Sequence, residues 1–294
     1  MTHDPDRYAT HFLDLKPAGP ARRLARRIRR ALTGPEIPSW PREPYATVEL
    51  TYWRPARGVN FGDELSRAIV GLMLARRGLT IEDETARPRQ MLAIGSILQF
   101  ARDDAVIWGS GVNGNQPEWA HRFRALDVRA VRGPYTRHYL MGKGIEVPEI
   151  YGDPGLLTPL LTGDRFRPSG EFEVGFVPNT HDFAEHAADC PIPVIDPRRP
   201  WNSVVADIVR YRRIVASSLH GLVLAEAFGI PARYVRVSER EGLVKYSDYY
   251  AGTGREHYDF ARSVPQALEM GPAPLPQLRL EPLLAAFPYD LWGR

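Results

Sequence analysis

The stretch Ile214–Pro231, IVASSLHGLVLAEAFGIP, places a strand, a turn and a helix within eighteen residues. Ile214–Ala216 is a short apolar run of strand character, and Ser217-Ser218 supplies an N-cap for a helix beginning near Leu219. The helix runs to Phe228 and stops at Gly229, with Pro231 behind it. Ala232–Val235 follows as one more strand. Strands alternating with helices in this way indicate an α/β fold with a parallel sheet. His220 falls in the first turn of the helix, at the rim of that sheet. The partial positive end of a helix attracts anions, and a histidine beside an anion site suits general acid/base work. The alternative is a ring that only caps or packs.

The alternation extends to both sides. Phe172–Val177 and Pro193–Ile195 read as strands, and Ser203–Arg212 as a helix. Upstream, Ala46–Trp53 reads as a strand, and Gly62–Arg77 as a helix with Leu65, Ile69, Leu72 and Met73 on one face. The apolar runs Met91–Ile94, Ala105–Trp108 and Val128–Val131 are each followed by a glycine-containing turn. A helix over Tyr135–Met141 then precedes a short strand at Glu149–Tyr151. Thr162–Gly170, TGDRFRPSG, has the composition of a linker. The expected architecture is therefore two Rossmann-like halves, residues 46–161 and 171–294, with a cleft between them. Ligands of open α/β sheets bind beyond the carboxyl ends of the strands, so the loops after each strand are the ones to inspect.

Composition narrows the class. The chain has 294 residues, of which 44% are hydrophobic, enough to bury a sizeable core. Cys190 is the single cysteine, so no intramolecular disulfide forms and a reducing compartment is expected. No secretory signal or membrane-spanning run is read from the sequence. The net charge of +3 is uneven: residues 1–32 hold eight Lys/Arg against three Asp, and the remainder is slightly acidic. Most of that excess lies in Ala21–Leu32, ARRLARRIRRAL, an arginine-rich helical pattern with a narrow apolar face. Residues 1–45 are thus a basic segment followed by a Pro-rich linker. The segment suits an anionic membrane surface, nucleic acid, or plain solvation. Nucleic acid ranks lowest, because the body carries no motif for it. The sequence lacks zinc-ligand spacing, a G-x-S-x-G elbow, a P-loop and a G-x-G-x-x-G fingerprint, so neither a metal nor a dinucleotide cofactor is expected.

Six segments, in order, resemble one family. They are Asn60-Phe61-Gly62-Asp63-Glu64-Leu65, Gly109-Ser110-Gly111, the Arg132-bearing turn Val131–Arg137, Gly152-Asp153-Pro154-Gly155-Leu156-Leu157, Ser217-Ser218-Leu219-His220-Gly221, and Lys245-Tyr246-Ser247-Asp248-Tyr249-Tyr250. Together they resemble the polysaccharide pyruvyl transferases over about residues 46–255. The resemblance implies a two-domain fold similar to that of GT-B glycosyltransferases. It implies transfer of the enolpyruvyl unit of phosphoenolpyruvate onto a sugar of a surface polysaccharide or lipid-linked glycan, giving a pyruvate ketal. It also implies a cytoplasmic enzyme, and the basic segment would then hold it at the inner face of the membrane.

The same resemblance assigns roles. His220 matches the catalytic histidine and Arg132 the anion-binding arginine. A second cation is expected from Lys245 or Arg240. Asp63 either orients an acceptor hydroxyl, acts as a base, or simply favours the first turn of its helix; Asn60 is a helix cap or a substrate contact, with Gly62 allowing close backbone approach. Ser218 belongs to the histidine motif. His181, after strand Phe172–Val177, is a further acid/base or acceptor-binding candidate. Asp153 is expected to cap the helix that begins at Pro154. Two other readings stay open: a GT-B-type glycosyltransferase using a nucleotide sugar, and a non-catalytic glycan-binding scaffold.

Overall fold

The computed structural model describes residues 45–55 and 58–293. The arginine-rich pattern at Ala21–Leu32 therefore lies outside the described residues. Two all-parallel sheets organise the rest. The first contains β1 (Glu49–Thr51), β2 (Gln90–Leu92), β3 (Ala105–Trp108) and β4 (Leu126–Ala130), side by side in sequence order. The second contains β5 (Phe172–Val177), β6 (Tyr211–Ala216) and β7 (Ala232–Tyr234), also in sequence order. Parallel pairing holds throughout, with Leu50 opposite Met91 in one sheet and Val215 opposite Arg233 in the other. This is the expected α/β class with parallel, Rossmann-like sheets.

Helix α1 (Phe61–Ala75) connects β1 to β2. Its sequence buries Leu65, Ile69, Val70, Met73 and Leu74, while Leu72, expected on that face, is only partly buried. Helix α2 (Pro134–Met141) follows β4, and α3 (Thr158–Thr162) follows a 3-10 turn at Pro154–Leu157. The second half adds α4 (Thr180–His186), α5 (Trp201–Ile208) and α6 (Leu219–Ala227). The expected helix Ser203–Arg212 ends early, because Tyr211 and Arg213 pair with Phe172 and Val174 of β5. The strands expected at Glu149–Tyr151 and Pro193–Ile195 are single bridges, Tyr151 to Val131 and Val194 to Phe176.

The two halves share one apolar core. Leu65 and Ile69 of α1, Leu156 and Leu157 of the 3-10 turn, and Leu222 and Val223 of α6 belong to the same buried cluster. Fully burying each such side chain stabilises the fold by roughly 1.5–3 kcal/mol. The stretch read as a linker contributes to it: Phe166 is buried and packs edge-on against Trp201 and Phe228. After β7 the chain returns to the first half. Helix α7 (Val244–Gly252) packs on α2, and α8 (Val264–Met270) lies against β6. The peptide carbonyl of Leu283, in α9 (Glu281–Ala285), accepts a hydrogen bond from Trp108 Nε1 at 2.8 Å. Tyr289 donates to the Met73 carbonyl at 2.8 Å.

Candidate active site

The loops leaving the carboxyl ends of both sheets meet around one histidine. Ser218 caps α6, its Oγ accepting from Gly221 N at 3.3 Å, and His220 occupies the first turn. The ring lies on the N-terminal turn of α1. A Cβ added to Gly62 would sit 2.1 Å from His220 Nδ1, so only glycine permits this approach. Asn60 fixes that turn as its cap, its Oδ1 accepting from Gly62 N at 3.1 Å.

His220 Nε2 points the other way. It lies 3.6 Å from Asp153 Oδ2, with the histidine side chain 13% exposed and the aspartate fully buried. Neither atom has a hydrogen-bond partner. Asp153 Oδ1 meanwhile accepts from Gly155 N at 2.9 Å, the capping role expected of it.

Asp63 stands beside this pair. Burial raises its carboxyl from 3.8 to about 6, against the opposing pull of His220 and Lys245, while Glu241 adds to the rise. A carboxyl held near neutrality exchanges protons readily at working pH. Lys245, in the first turn of α7, is 13% exposed, and its Nζ is 2.8 Å from Glu241 Oε2. Arg240 is instead an exposed residue paired with Glu185. Of the two cations expected, Lys245 is the one whose charge bears on Asp63.

Arg132 departs from expectation. Its side chain is fully enclosed. Nε donates to Asp248 Oδ2 at 3.0 Å, Nη1 to Ser96 Oγ at 2.5 Å, and Nη2 to the Val112 carbonyl at 2.8 Å. Asp248 also accepts from Thr136 N at 3.0 Å and from Thr136 Oγ1 at 2.6 Å. Gly111 makes room for this guanidinium, since a Cβ there would lie 2.4 Å from Arg132 Cζ. The guanidinium is thus held by protein partners, and its buried charge faces a carboxylate of α7, a helix absent from the strand-and-helix reading.

His181 is exposed at the start of α4, where its backbone N–H is capped by Asn179 Oδ1 at 3.0 Å. Ser218 spends its hydroxyl on the α6 cap. Arg236, just past β7, was not singled out by sequence; its Nε is buried without a partner while Nη2 pairs with Glu239 at 2.8 Å. Its position directly after a strand was the available signal. A groove of about 610 Å³ begins at Asn60 and Glu64 and is walled by Trp53 and Trp201.

Comparison with known proteins agrees with these motifs. The family model for polysaccharide pyruvyl transferase matches residues 78–239, more than half of the chain. The chain belongs to the polysaccharide pyruvyl transferase family. It is 28% identical over 212 residues to the succinoglycan biosynthesis protein ExoV of Rhizobium meliloti, covering 67% of this chain and 62% of ExoV. It is 26% identical over 216 residues to an uncharacterized protein of Acanthamoeba polyphaga mimivirus, covering 69% of this chain and 74% of that protein. A solved structure of a functionally uncharacterized protein from Klebsiella pneumoniae subsp. pneumoniae aligns with a TM-score of 0.41 and 12% identity, over 69% of this chain and 87% of that one. No helix among the described residues is long and apolar enough to cross a membrane.

Proposed function

We propose that the protein moves the enolpyruvyl unit of phosphoenolpyruvate onto two hydroxyls of one sugar in a glycan acceptor, forming a pyruvate ketal. The observation that carries this reading is the grouping of His220, Asp63 and Lys245 where the two sheets' loops meet. His220 as imidazolium protonates the methylene carbon of the donor, which leaves a cationic centre at C2. The first sugar hydroxyl attacks that centre and gives its proton to the Asp63 carboxylate. The second hydroxyl attacks C2 and displaces phosphate, its proton returning to His220. The proton on Asp63 leaves with the phosphate, which restores the site. Donor and acceptor together lose two hydroxyl protons; one ends on the new methyl group and one on phosphate.

Lys245 is the cation assigned to the donor's negative charge, and the N-terminal end of α6 favours anions at the same place. The acceptor's outer sugars are assigned to the groove between Trp53 and Trp201, which offers indole faces beside Glu64 and Arg67. We also assign the enzyme to the cytoplasm, with its basic N-terminal segment near the inner membrane face. Incubation with phosphoenolpyruvate and a panel of glycan acceptors tests the function, with phosphate release as the readout. Acceptor-dependent release is expected. Turnover with a nucleotide sugar but not with phosphoenolpyruvate would replace this reading with a glycosyltransferase.

A further inference from the structure

We infer that Asp153 is the positioning residue of His220: its carboxylate holds the imidazole proton on Nε2 and leaves Nδ1 to exchange protons with substrate. The role of Nδ1 rests on the pyruvyl-transfer reading; the pairing itself does not.

The geometry begins with two buried atoms that lack partners. Asp153 Oδ2 and His220 Nε2 are both enclosed by protein and face each other at 3.6 Å. That distance is within ion-pair range but beyond a hydrogen bond. Buried polar groups are paired in folded proteins, and an unpaired carboxylate oxygen is costly. A hydrogen bond between the two would satisfy both atoms at once. The other carboxylate oxygen is already fixed by Gly155 N at 2.9 Å, so the aspartate is rigid and its free oxygen is aimed.

Residue choice makes the same point. Asn, Ser and Asp all cap a helical turn well. A cap alone leaves no reason for a fully buried negative charge at residue 153. An imidazole opposite supplies that reason, since a carboxylate on one ring nitrogen fixes the tautomer and the ring plane. Gly62 completes the arrangement from the other side, because a Cβ there would occupy the space 2.1 Å from Nδ1 that glycine leaves clear. The other charged groups are Asp63 on α1, whose carboxyl feels the charge of His220, and Lys245 on α7 and Glu241 just before it, which act on that same carboxyl. Asp153 is the carboxylate that faces Nε2.

Asp153→Asn tests the inference cleanly, because the amide oxygen keeps the cap on Gly155 while the charge is lost. The ring nitrogens of His220 are read by NMR on the full chain without substrate, and thermal unfolding checks the fold. In the wild type the Nε2–H tautomer is expected to predominate. In Asp153→Asn that preference should weaken, because the carboxylate that accepts from Nε2–H is gone. With phosphoenolpyruvate and an accepted glycan, kcat should fall about 100-fold or more while the donor KM stays within about twofold. Unchanged ring-nitrogen shifts in a folded Asp153→Asn protein would overturn the pairing. Altered shifts with undiminished kcat would overturn its role in turnover. Should Asp153→Asn not fold, Asp153→Ser retains a capping oxygen and gives the same readouts. Altered shifts in a protein whose wild type never turns over phosphoenolpyruvate would uphold the pairing and reject the pyruvyl-transfer reading.

Discussion

Asp63 carries opposite consequences for stability and for chemistry. Its carboxyl sits near 6 in the folded protein, above its ordinary 3.8, because burial disfavours the charged form. The folded state therefore binds this proton more tightly than the unfolded chain does. The sign follows: the stability it contributes is present at low pH and is lost as pH rises from about 4 to about 6. Above that window the ionised group costs up to about 3 kcal/mol. Asp63→Asn should thus raise stability by about 1–3 kcal/mol in urea unfolding at pH 8, a gain that shrinks toward pH 4. The same variant should lose most turnover, and with it the limb of the pH–rate profile in which activity rises through pH 6. A gain of equal size at both pH values would show that Asp63 bears no buried charge. Such a residue, costly to the fold and poised for proton transfer, is what a site demands and a core does not.

Among the elements, α7 binds the halves together, packing on α2 while Tyr246 donates to the Ser217 carbonyl. Lys245–Tyr250 was recognised as a motif, yet which of its residues face the site depends on a long-range contact. Asp248 pairs with Arg132, one hundred and sixteen positions earlier, and no local pattern announces that partner. Seen in sequence, Arg132 after a strand looks like an anion ligand; seen beside Asp248, it is a buried ion pair. Removing one partner of such a pair leaves an uncompensated buried charge, at a cost of about 3–5 kcal/mol. Asp248→Ala should accordingly lower the urea-unfolding free energy by that amount, and Arg132→Ala by a similar one. An Arg132→Ala protein of wild-type stability that had lost donor binding would return Arg132 to the anion-binding role. By contrast, the strand–Ser-Ser–helix unit at Ile214–Pro231 is legible except for the start of its strand, which lies at Tyr211, because cap, periodicity and the Gly229 stop are all local signals. The 3-10 turn at Pro154 was read correctly as an Asp153 cap, but the second carboxylate oxygen was not, since only the packed molecule brings His220 to it. The helix α4 was missed because Asn179-Thr180-His181 reads as a loop until Asn179 is seen capping it.

Across the described residues, loops that leave the carboxyl ends of two parallel sheets deliver unlike groups to one place. The first half supplies Gly62, Asp63 and Asp153, and the second supplies His220 and Lys245. The class of fold was legible because alternation of strand and helix is written along the chain. The shared core and the return of α7 and the final segment to the first half were not, since they follow from tertiary packing. The acidic balance of residues 33–294 means that, on the proposed function, the donor's anionic groups would be met by a few placed cations and not by a broadly basic surface. The most direct test of the central proposal is to run the reaction in D2O with phosphoenolpyruvate and an accepted glycan, and to follow the product by NMR. Pyruvyl transfer predicts a ketal methyl group carrying one solvent-derived deuterium, formed in step with phosphate and absent with His220→Ala. Phosphate released without a deuterated ketal methyl group would contradict it.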